Sequence, residues 1–152
     1  DGLTNYIAPL KGAIKIFKEK IPYFCPKRLG IRKVRVENNN NINHFSAIFE
    51  PFVFPKLMFN IGRDKLVKSD YLDVIFDESS KLTANIKREI IVNKDKTGAP
   101  IYTTSLDIDA YYYEDALFSG NINEMINYAN TKEFELYKQC MTYDYLYSIS
   151  RQ

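Results

Sequence analysis

Hydrophobic positions along this chain recur with two periods, and each change of period marks a change of element. Tyr6, Leu10, Ile14, Phe17 and Ile21 fall three or four residues apart, which places them on one face of a helix. Pro22 ends that helix, because proline disfavours helical geometry in the residue before it. Residues 27–37 read as a strand. Its apolar parity switches between Leu29 and Ile31 on one side and Val34 and Val36 on the other, so a bulge is expected near Arg32 and Lys33. An Asn-rich tract, residues 38–43, then reads as a turn. Residues 44–50 suit one or two helical turns with Phe45, Ile48 and Phe49 facing inward. The segment between Pro51 and Pro55 is expected to be irregular, and residues 57–61 fit either a strand or a helix.

Strict alternation begins at Leu72. Leu72, Val74 and Phe76 alternate with Asp73, Ile75 and Asp77, the pattern of a half-buried strand. Leu82, Ala84, Ile86, Ile90 and Val92 keep one parity, as do Tyr102, Thr104, Leu106, Ile108, Ala110 and Tyr112. A polar Gly- and Pro-containing segment joins these runs, so residues 82–92 and 101–113 are expected to form an antiparallel hairpin. From Ile122 the period becomes helical. Ile122, Met125, Ile126 and Ala129 form one stripe, and Phe134, Tyr137, Met141 and Tyr145 form another. Asn130 and Thr131 are expected to mark a kink or break between them. The pattern predicts an α+β fold: an antiparallel sheet of about four strands packed against an N-terminal helix and a long C-terminal amphipathic helix.

Composition narrows this picture modestly. With 152 residues and 45% hydrophobic content, the chain fits a single domain with a real core. The net charge of +2 gives no whole-molecule field that would draw nucleic acid or an anionic membrane. No run of about 18 apolar residues is present to span a membrane. No secretory signal pattern occurs in the sequence. Cys25 and Cys140 lack metal-ligand spacing, which suits two reduced thiols and a cytoplasmic setting. The first residue, Asp1, suggests a processed protein, a trimmed chain or the C-terminal portion of a longer one.

Three groups of residues could carry chemistry. Lys27, Arg28, Arg32, Lys33 and Arg35 place five cations within nine residues. A bulged strand could gather them to hold phosphates, with nearby aromatics stacking bases. The simpler reading is that the same residues guard an edge strand and pair with Asp73, Asp77, Asp107 or Asp109 across a sheet. Asp107 and Asp109 project from one strand face and are weak candidates for a divalent metal, given further oxygen ligands from Asp73 or Asp77. Tyr111 and Tyr113 share a face opposite Tyr112 and suit an interface. Catalytic constellations lack parts. His44 is the sole histidine, and no glycine-rich phosphate loop or zinc spacing occurs.

The segment Arg28-Leu29-Gly30-Ile31-Arg32 resembles a strand motif found in a sporadically distributed, functionally uncharacterised prokaryotic protein family. Leu106-Asp107-Ile108-Asp109, followed by aromatics, is similar to that family's last strand. The helix through Phe134, Thr142 and Leu146 is similar to its C-terminal helix. Lys33 and Arg35 stand where the family carries an aromatic and an asparagine. The resemblance implies that the chain is the C-terminal part of such a protein. It implies no established activity.

The reading is therefore a non-catalytic interaction or ligand-binding module with no cofactor. Its expected partner is another protein, an upstream segment of its own, or a second copy in a homo-oligomer. Two alternatives stand beside it: nucleic-acid binding through residues 27–35, and a divalent-metal phosphoryl-transfer enzyme using Asp107 and Asp109.

Overall fold

The computed structural model describes residues 4–23, 26–59, 65–113, 116–117 and 121–150. Its elements in chain order are α1 (Thr4–Lys20), β1 (Arg28–Asn39), α2 (Ile42–Ile48), α3 (Pro55–Met58), β2 (Lys68–Asp77), β3 (Leu82–Lys94), β4 (Pro100–Tyr113), α4 (Ile122–Cys140) and α5 (Tyr143–Ile149). The architecture is the expected α+β arrangement. Four antiparallel strands form one sheet in the order β1-β4-β3-β2, with a helix before it and a long helix after it. β1 and β2 are the two edges. Among the described residues, no helix is long and apolar enough to cross a membrane.

The β3–β4 hairpin forms as the alternation predicts, with Ile86 opposite Ile108 and Val92 opposite Tyr102. Its loop is built by Asp95, whose carboxylate accepts from the backbone N–H groups of Thr97 and Ala99 at 2.8 and 2.9 Å. Gly98 takes φ +87°, a left-handed conformation that glycine adopts without a side-chain clash. The even-numbered residues of β4 lie on the inner face, where Thr104, Leu106, Ile108 and Ala110 are buried.

Helix α4 covers this face over β4 and β1. Met125, Ile126, Ala129, Tyr137 and Cys140 are its buried positions, together with one carboxylate, Glu133. No break occurs at Asn130 and Thr131. The Thr131 hydroxyl donates to the Asn127 carbonyl at 3.0 Å, a bond compatible with an uninterrupted helix. The break falls instead at Met141 and Thr142. There the chain is tied to α2 through an isolated bridge between Phe49 and Met141 and a bond from Thr142 N–H to the Ile48 carbonyl at 2.9 Å. Thr142 then caps α5.

Phe45, Ile48 and Phe49 are buried as expected. The segment after Pro51 is a turn leading into α3, with Phe54 buried against Phe49 and with Phe52 and Phe59 exposed. Cys140 is a buried free thiol, pushed up to about 11 chiefly by burial. Cys25 and Ile61 lie outside the described residues. On α1, Leu10, Ile16 and Phe17 are all partly exposed, as is Ile21 just after it, as suits a surface helix.

The expected bulge in β1 is absent. The strand pairs with β4 in one unbroken register from Arg28 opposite Tyr113 to Asn39 opposite Tyr102. Leu29 and Ile31 therefore share the inner face with Lys33 and Arg35, while Val34 and Val36 point outward and are exposed. The long stems of Lys33 and Arg35 take the apolar positions under the helices, and their charged heads reach partners there.

Candidate functional site

The sheet has one face under helices and one open face. The pairing register assigns each side chain to a face, because directly opposed residues share one. On the open face β1 contributes Arg28, Gly30, Arg32, Val34 and Val36, and β4 contributes Ser105, Asp107, Asp109, Tyr111 and Tyr113. β3 adds Thr83, Asn85, Lys87 and Glu89. β2 adds Lys68, Asp70, Leu72, Val74 and Phe76.

Toward the β1 edge this face carries two ion pairs. Arg32 holds Asp107 through two parallel bonds, Nε to Oδ1 at 2.8 Å and Nη2 to Oδ2 at 2.6 Å. The Asp107 partner raises the Arg32 pKa further. Arg28 pairs with Asp109 and lies 3.8 Å over the Tyr111 ring. Tyr111 meets Tyr113 edge to face at 5.1 Å, and its hydroxyl lies 3.5 Å from Asn85 Oδ1. Burial and the neighbouring Tyr113 hydroxyl push its phenol upward. Gly30 sits directly opposite Tyr111, and its lack of a side chain is what the packing requires. A Cβ there would stand 2.6 Å from the Tyr111 Cβ and 2.7 Å from the Ala110 carbonyl oxygen.

The five cations of residues 27–35 do not form one basic face. Arg28 and Arg32 point to the open side, while Lys33 and Arg35 point to the helix side. Lys27 lies exposed just before β1. Lys33 Nζ is 3.0 Å from Glu133 Oε2 and 5.0 Å from the Phe134 and Tyr137 ring centres. Glu133 is fully buried, and burial, opposed by Lys33, raises its carboxyl above the usual range. Arg35 pairs with Glu37, donates to the Tyr137 hydroxyl at 3.4 Å, and lies 4.6 Å over the Tyr145 ring. His44 Nε2 is 3.0 Å from Glu37 Oε2.

Asp107 and Asp109 share the open face, but Asp73 and Asp77 belong to the opposite one and supply no further ligand there. Asp73 pairs with Arg88 on the helix side. Asp77 accepts from the Ser79 and Ser80 hydroxyls, each at 2.6 Å, and from Tyr128 at 3.0 Å, and these bonds hold its carboxyl well below the usual range. Among the described residues, no group of three or more His, Cys, Asp or Glu side chains could hold a metal ion.

Two features escape a sequence reading. Leu72, Val74 and Phe76 form an apolar row on the open face at edge strand β2, exposed to 60%, 61% and 58%. Their alternation suggests burial, but alternation alone does not say which face a helix covers. The second feature is the buried Glu133. Its four-residue spacing from Ala129 and Tyr137 was the available signal, since that spacing puts it inside the buried stripe.

No protein-family model matches the chain, and no curated protein or solved structure matches it.

Proposed function

We propose that the chain is a non-catalytic protein-interaction module whose docking surface is the open face of its sheet, entered from the β2 side. The observation that carries this reading is the Leu72, Val74 and Phe76 row, more than half exposed on each side chain. Single exposed apolar residues are ordinary, but three adjacent ones on one face of an edge strand form a patch of the kind that marks partner sites. Beyond β3 on the same face, the ion pairs with Tyr111 and Tyr113 add the polar and aromatic groups common at interfaces. Nucleic-acid binding draws less support. Phosphate binding needs cations gathered on one surface. Here Arg28 and Arg32 hold carboxylates, and Lys33 and Arg35 lie under α4.

The test is site-specific photocrosslinking in cells. A photoreactive residue replacing Val74 should yield discrete protein adducts. The same residue replacing Lys138, on the outer side of α4, should not. Absence of adducts at Val74, or equal adducts at both places, removes the reading.

A further inference from the structure

Among the described residues, β2 pairs with β3 alone, so its other edge carries unpaired backbone groups. Which groups these are follows from one bond. Val92 N–H donates to the Val67 carbonyl at 2.8 Å, and these two residues continue the register in which Lys68 faces Ile91. In an antiparallel ladder, hydrogen-bonded pairs alternate with non-bonded ones. Odd-numbered residues of β2 thus turn their N–H and C=O groups toward β3. Lys68, Asp70, Leu72, Val74 and Phe76 turn theirs outward, and the same residues carry the exposed side chains of the open face.

The geometry points to a second copy of this chain as the partner. Two β2 edges join antiparallel across a two-fold axis, and two four-stranded sheets become one continuous sheet. The proposal rests on the interaction-module reading and names its partner.

The strand is self-complementary in one register. With Asp73 on the axis, Leu72 faces Val74, Tyr71 faces Ile75, Asp70 faces Phe76, Ser69 faces Asp77, and Lys68, which also holds Glu89 and Asp70 of its own chain, faces Glu78, the residue after the strand. Apolar residues then meet apolar residues on both faces near the axis, and opposite charges meet at both ends. The two Asp73 carboxylates approach each other, but each already holds Arg88. Moving the axis to Leu72 sets Lys68 against Phe76 and Asp70 against Val74, with no ion pair. Moving it to Val74 sets Asp70 against Glu78, a repulsive pair. The helix side leaves room for the join. α4 packs on β4 and β1, and a groove of about 210 Å³ lined by Ile75, Leu82, Ala84 and Leu136 stays open beside β2. The other edge lacks this complementarity. A β1 pair centred on Lys33 would set Lys33 against Lys33, Arg32 against Val34 and Arg35 against Ile31.

Sedimentation equilibrium over a concentration series is the test. The wild-type chain should be a reversible dimer. Val74→Pro removes an outward N–H and no bond to β3, so it should give a monomer with an unchanged circular dichroism spectrum. Lys68→Glu and Glu78→Lys should each weaken the dimer about tenfold, and the double variant should restore it. The charge variants decide the matter should Val74→Pro fail to fold. A wild-type chain that stays monomeric overturns the proposal, as does a dimer indifferent to both charge reversals. A monomer that still gives adducts to another protein at Val74 leaves the interaction module standing and removes only self-pairing. A monomer without adducts removes both.

Discussion

The two edges of this sheet are built on opposite plans. β1 carries Arg28, Arg32, Lys33, Arg35 and Glu37, and their charges are engaged within the chain, by Asp109 and Asp107 on one side and by Glu133, Tyr137, Tyr145 and His44 on the other. Charged side chains on both faces discourage an approaching strand. β2 has Lys68, Asp70, Asp73 and Asp77, yet between them it leaves Leu72, Val74, Ile75 and Phe76 in contact with solvent. β2 too has charge on both faces, and what sets it apart is the exposed apolar row of Leu72, Val74 and Phe76 at its middle, the row on which the proposed pairing rests. The comparison teaches that a cluster of cations in a sequence can be dispersed by the register onto two faces and into ion pairs, whereas an alternating apolar run can be left exposed when its strand lies at an uncovered edge.

The largest expected contrast is between inner and outer truncations. Leu106→Ala, at a position 1% exposed on central strand β4, should cost about 2–5 kcal/mol in urea denaturation. Leu72→Ala, measured on the monomeric Val74→Pro background, should change stability by no more than about 0.5 kcal/mol. Comparable losses would mean that the β2 row is core after all.

Gly30→Ala tests the packing of β1 on β4. A Cβ 2.6 Å from the Tyr111 Cβ and 2.7 Å from a backbone oxygen forces the strands apart, at a cost of about 1–3 kcal/mol. Tyr111→Ala should not relieve it, because the clash involves the Cβ and the main chain rather than the ring. A neutral Gly30→Ala in thermal melts would contradict the close approach.

Smaller effects should carry opposite pH signatures. The raised Glu133 carboxyl makes the ionised form unfavourable in the folded state. That penalty is absent below the ordinary carboxylate pKa and complete above the raised folded value. Glu133→Gln should therefore raise the melting temperature at neutral pH, with a gain that fades in acid. Asp77 behaves inversely. Its lowered pKa contributes stability above the ordinary carboxylate value, and that contribution is lost as pH falls through the folded value. Asp77→Asn should thus lower the melting temperature at neutral pH and converge with wild type in acid. Melts at several pH values that show parallel curves for either variant would refute the assigned cause. The smallest effect belongs to Arg32→Ala, since an exposed ion pair contributes little to stability even with bidentate geometry.

Local pattern carried the β3–β4 hairpin and the helix from Ile122, because burial on one face writes itself directly into alternation or helical spacing. It failed where identity and environment part company. Lys33 and Arg35 occupy inner positions of β1 because their stems are apolar, and that substitution mimics the parity change expected of a bulge. Asn130 and Thr131 suggested a break, but helix-compatible bonding and the stripe on either side of them kept α4 whole. Strand order was not legible either. β1 joins beside β4 rather than beside its sequence neighbour β2, and that long-range pairing alone makes β2 an edge. The chemistry of residues 27–35 and of Asp107 and Asp109 was visible as residue types. Only the register reveals that two of the cations neutralise the two carboxylates and that two others lie on the opposite face.

The most direct measurement is residue-resolved amide hydrogen exchange at low and high protein concentration. The outward amides of β2, at Asp70, Leu72, Val74 and Phe76, should gain protection as concentration rises, while the odd-numbered β2 amides and the β1 edge should not change. Exchange at the outward β2 amides that is independent of concentration would contradict self-pairing through this edge.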